Sequence, residues 1–146
     1  MWNSKKSVTL SLCMTYVSLA ALAALVFCAP TFLSWWYPPY RSDIARLVLI
    51  TFYCCCPGAL AALLCLLKLL HNIKKEEIFV LSNITLLRAL SWCCFLDAAA
   101  ALVSGLRYLP FLLVFGALVF LGLILRVVKN VMYEASVIKT ENDLTV

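Results

Sequence analysis

Four apolar runs separated by short polar breaks set the pattern of the chain, at roughly residues 8–28, 47–67, 86–106 and 109–125. A helix rises about 1.5 Å per residue, so about 20 apolar residues match a hydrocarbon core about 30 Å thick. The pattern predicts four membrane-crossing helices, the fourth run being short enough to need tilt or local thinning of the bilayer. Pro30 is expected to end the first helix and Lys68 the second. Ser82 or Asn83 is placed to cap the third, whose interior starts at Ile84. Only Arg107 and Tyr108 separate the third run from the fourth, with Pro110 just beyond, so these two helices must be antiparallel neighbours.

After Leu125 the periodicity changes. Val127, Val128, Val131, Met132, Ala135 and Ile138 fall on one helical face, and Arg126, Lys129, Asn130, Glu134 and Lys139 on the other. The fourth helix is therefore expected to continue as an amphipathic segment, with the tail completing residues 126–146. It would lie on the membrane surface, pack on the inner loop, or offer a groove-binding face to a partner.

Composition removes the soluble alternative. Hydrophobic residues make up 65 % of the 146 and charged residues 13 %, with a mean hydropathy of +1.01. A soluble domain of this size could not bury so much apolar surface, so the apolar faces must meet lipid. The fold class expected is all-α, one integral membrane four-helix bundle over residues 1–146, with the first run retained as a span. The net charge of +5 carries no nucleic-acid signature, because the basic residues are spread thinly along the span ends. Lys5, Lys6, Lys68, Lys74, Lys75, Arg88, Arg126, Lys129 and Lys139 share the side of the termini, against Arg41, Arg46 and Arg107 on the other. That bias predicts both termini in the cytoplasm.

Candidate chemistry is sparse. The eight cysteines all sit in or at the edge of apolar runs, with no C-x-x-C and a single histidine, His71. Consecutive helical residues point about 100° apart, so Cys54, Cys55 and Cys56 cannot chelate one ion from one face. They read as small hydrophobes, with a Cys28 disulfide to that group as a lesser alternative. No metal, cofactor or enzyme activity is expected: H-E-x-x-H, a nucleophile–histidine pair and a phosphate loop are all missing. Trp35, Trp36, Tyr37 and Tyr40 read as interfacial anchors at the headgroup level.

Asp97 is the sharpest residue, at the centre of the third run, where an ionised carboxylate costs at least about 2.5–3.5 kcal/mol. It is read as neutral, donating a hydrogen bond to the Tyr53 carbonyl freed by Pro57, or to a hydroxyl such as Tyr53 or Ser18. Asp97, Pro57 and Tyr53 thus form a candidate intramembrane polar site, whose role is structural, assembly-driving or proton-coupling. Gly116 and Gly122, and the alanines at 20, 21, 23 and 24, are expected close-approach points. Arg88 is expected to snorkel to the headgroups or pair with Glu134. Leu144 and Val146, after Asp143, loosely fit C-terminal peptide recognition by strand addition, against an ordinary frayed end.

Three features together carry a resemblance: Ile78-Phe79, Asn83, Leu87-Arg88 and Ser91 leading into the third run; the fourth run passing into a cytoplasmic helix; and the ending Glu141-Asn142-Asp143-Leu144-Thr145-Val146. In these the chain resembles the bacterial YoaS-like family of small four-helix membrane proteins, a domain of unknown function (DUF2975). The resemblance implies a bacterial plasma membrane and, because many such proteins are encoded beside a small helix-turn-helix regulator, a cytoplasmic partner of that kind. It brings no catalytic residues. The cysteine richness and the Trp35-Trp36 pair depart from the family's commoner pattern. The expected function is a regulatory or tethering membrane component acting through Arg88, Glu134, Asp143, Leu144 and Val146, in contact with the bilayer and able to self-associate. The alternative is a small proton-coupled transporter using Asp97.

Overall fold

The computed structural model describes residues 4–37, 42–75 and 81–144 and is all helical. Helix α1 runs Ser4–Trp36, α2 Ser42–Lys74, α3 Leu81–Gly105 and α4 Pro110–Leu144. Each is long and apolar enough to cross a membrane. Their order is the one the apolar runs predict, but three ends move.

Pro30 does not end α1, which continues to Trp36. A proline at 30 removes the N–H that would bond the Val26 carbonyl. That carbonyl instead accepts the Tyr53 hydroxyl of α2 at 2.9 Å, so the helix keeps its bonding and ties itself to its neighbour. Lys68 likewise lies inside α2, which closes only at Lys74. Ser82 and Asn83 are inside α3, and Asn83 is fully buried as a contact to α2 rather than a cap.

Between Gly105 and Pro110 the chain reverses in four residues. Arg107 N and Tyr108 N both bond Ser104 O, at 3.1 and 3.0 Å, and Pro110 takes the first helical position, where its missing N–H costs nothing. The expected hairpin of α3 and α4 follows. Helix α4 then runs unbroken for 35 residues, about 52 Å of axis, against a core about 30 Å thick.

The helices pack in chain order: α1 on α2, α2 on α3, and α3 on α4, with no other pairing among the described residues. The four-helix set is thus an open antiparallel row, not closed by contact of α1 with α4. Helix α3, flanked on both sides, holds most of the buried residues, including Leu87, Ala98 and Ala101. Outward faces carry exposed Phe27, Leu106, Leu113 and Val103, the surface that lipid requires.

Removing the Tyr53 hydroxyl by Tyr53→Phe is expected to cost about 0.6–1.7 kcal/mol of stability in detergent-denaturation titrations. The cost should shrink in a Pro30→Ala background, where residue 30 again supplies an N–H to Val26. An equal cost in both backgrounds would disprove the link.

Candidate functional site

The polar residues of α2 and α3 meet in layers. At one end Thr51 Oγ1 and Ser104 Oγ lie 2.6 Å apart, both residues buried. At the other, Asn72 Nδ2 donates to Asn83 Oδ1 at 2.7 Å. Between them Asp97 packs on Gly58: a Cβ at 58 would fall 2.6 Å from Asp97 Cγ. Thr51, Gly58 and Asn72 are spaced by seven and fourteen residues, and so are Ser104, Asp97 and Asn83 in reverse. The two helices therefore keep one register along the whole seam, with the heptad spacing of left-handed helix pairs. By that register Cys65 falls opposite Leu90, which completes the repeat.

The predicted trio of Asp97, Pro57 and Tyr53 does not form one site. Tyr53 and Gly58 are five residues apart, about 140° around the helix, so Tyr53 faces α1 while Gly58, next to Pro57, faces α3. Ser18 is also spent, donating to Met14 O at 2.9 Å. Asp97 is partly buried, and among the described residues its carboxyl makes no hydrogen bond, to Tyr53 or to any other group. Its own backbone carbonyl receives the Cys55 thiol at 3.9 Å. All eight cysteines are free thiols, exposed at Cys13, Cys28 and Cys54 and partly covered at the other five.

On the other side of α3, Gly122 is a true close approach: Ser91 Oγ donates to its carbonyl at 3.0 Å, and a Cβ there would lie 2.9 Å from Phe95. Gly116 is not, since a Cβ on it meets nothing within 4 Å. Ala20, Ala21, Ala23 and Ala24 are exposed; Ala23 borders a groove of about 370 Å³ beside Val26 and Pro57.

Arg88 does not pair with Glu134. Its helix face turns to Arg126, Lys129 and Asn130 of α4, and Glu134 lies five residues past Lys129, about 8 Å farther along the axis. Trp35 and Trp36 are exposed at 79 % and 64 % on the last turn of α1, not in a loop, with Trp36 stacked on Phe32 at 6.0 Å. Tyr37 N extends that turn by bonding Leu33 O; Tyr40 lies outside the described residues. The tail is helical through Leu144, Asp143 included, so strand addition would need that segment to unwind. Val146 lies outside the described residues.

Four apolar helices joined by short links define a multi-pass membrane protein. The family described as "Protein of unknown function (DUF2975)" matches residues 12–146, and the chain belongs to it. Neither a curated protein nor a solved structure matches it.

The Asp97–Gly58 contact yields a size test. Gly58→Ala should lower stability by about 1–3 kcal/mol, as overpacking does, and Asp97→Ala in the same chain should recover most of it. Asp97→Asn should leave folding intact, since volume and contact are kept. A Gly58→Ala chain as stable as the parent would remove the close contact.

Proposed function

We propose that the chain is a regulatory or tethering component of the membrane, with both termini in the cytoplasm, that engages a soluble protein through the extension of α4. The observation that carries this reading is the length and surface of that helix. From Arg126 to Leu144 it adds about 28 Å, and along its apolar face Val127, Val131 and Ile138 are exposed at 62, 62 and 58 %. Among the described residues only α3 packs on α4, and it begins at Leu81, so Ile138 lies beyond that packing and stays exposed. A helix continuous with a membrane-crossing segment leaves the bilayer on that segment's course, which disfavours a helix lying flat on the surface. An amphipathic helix with apolar anchors at three- and four-residue spacing suits a hydrophobic groove. The partner class is a small helix-turn-helix regulator, as the family resemblance implies.

A second reading, proton-coupled transport through Asp97, is favoured by one fact: a carboxyl at mid-span without a hydrogen-bond partner among the described residues. The two open edges of the row, α1 and α4, leave room for self-association in either case.

Photo-crosslinking residues at positions 131 and 138, in cells of the native host, test the leading reading. A DNA-binding protein should be captured at both, and lost on Val131→Glu or Ile138→Glu with the chain still in the membrane. Crosslinks confined to lipid would refute it. Loss of proton-coupled efflux on Asp97→Asn would favour transport.

A further inference from the structure

The hairpin of α3 and α4 brings together two matched triads. Arg88, Ser91 and Trp92 stand at i, i+3 and i+4 on α3, and Arg126, Lys129 and Asn130 at the same spacing on α4. Such spacing puts each triad on one helical face, and together they line an open crevice of about 470 Å³. The register is held by the Ser91–Gly122 hydrogen bond just below it. Three cations therefore share one crevice whose other lining residues are neutral. Among the described residues none of the three forms an ion pair with a carboxylate.

Arg126 is positioned by aromatic faces. Its guanidinium carbon lies 5.5 Å from the ring centroids of both Trp92 and Phe95. Stacked in this way it is held without neutralisation, and the N–H donors in its plane stay available to an anion. Arg88 and Arg126 stand at the ends of the apolar runs of α3 and α4, at the end of the row that carries both termini. That depth is the headgroup level, where an exposed tryptophan such as Trp92 also settles.

We propose that this crevice is a binding site for the phosphate of an anionic phospholipid headgroup. Two guanidinium groups match phosphate oxygens in paired N–H contacts, the Lys129 ammonium adds a point charge, and Asn130 adds a neutral donor. Basic pockets between membrane helices take acidic headgroups for this reason. The lipid source follows from the surroundings: one rim of the crevice is the half-exposed Trp92 ring, which packs edge-on against Phe95 and leads into the apolar flank of α3 beside the acyl chains.

The test uses the full chain purified in neutral detergent, with native mass spectrometry counting retained lipid. Phosphatidylglycerol and phosphatidylcholine are offered at equal concentration. The parent should prefer phosphatidylglycerol by about a hundredfold, each of the three cations contributing about fivefold. The triple variant Arg88→Gln, Arg126→Gln, Lys129→Gln should lose that preference, while the charge-matched Lys68→Gln, Lys74→Gln, Lys139→Gln control keeps it. Equal loss in the control, or no preference in the parent, would overturn the site. Displacement of the lipid by equimolar inorganic phosphate would assign the crevice to soluble phosphates and overturn the lipid assignment. Where the triple variant does not elute as a folded helical species, Arg88→Gln alone decides, by a loss of about fivefold or none.

Discussion

Between two helices in lipid there is no hydrophobic force to gain, because acyl chains are as apolar as leucine. What holds α2 against α3 is a seam of small and polar side chains repeated every seven residues: Thr51 with Ser104, Gly58 with Asp97, Asn72 with Asn83. A shift of one residue would break all three contacts together, leaving buried hydroxyls and amides without partners in a medium that offers none. No buried side-chain polar atom among the described residues lacks a hydrogen-bond partner. The seam therefore sets one register, and the outer helices are arranged relative to it.

Each outer helix is attached by a backbone carbonyl. Helix α1 offers Val26 O, exposed by Pro30, to Tyr53; α4 offers Gly122 O, exposed by the missing side chain, to Ser91. In both cases a residue that weakens or thins a helix creates the acceptor that docks it. Since α1 meets only α2, and α4 only α3, the row stays open. Helix α4 is then free on its outward face and longer than the bilayer is thick. This combination supports reading it as the part that reaches out.

The four spans, the tight hairpin and the continuation of the fourth helix were legible in the sequence, because each depends on local properties: apolar length, link length and periodicity. Membership of the family was legible too, from Asn83, Leu87-Arg88, Ser91 and the ending. The polar site was only half legible. Asp97 and Pro57 stood out as oddities, but pairing Tyr53 with them ignored the 140° that separates Tyr53 from Gly58. The seven-residue spacing of Thr51, Gly58, Cys65 and Asn72 was present as a signal, and so was the shared spacing of Arg88, Ser91, Trp92 with Arg126, Lys129, Asn130. Neither has meaning until the partner helix and its register are known.

By itself, then, the sequence determined that this is a four-span membrane protein with a hairpin at its third turn and a long last helix. Hydrophobic length and backbone bonding in lipid permit little else. Tertiary structure decided that Pro30 and Asn83 join helices rather than end or cap them, that Asp97 rests on a glycine, and that Arg88 faces two cations instead of a glutamate. Those outcomes depend on rotation and axial offset between helices. Apolar side chains in lipid specify these weakly, so a few polar and small residues decide them.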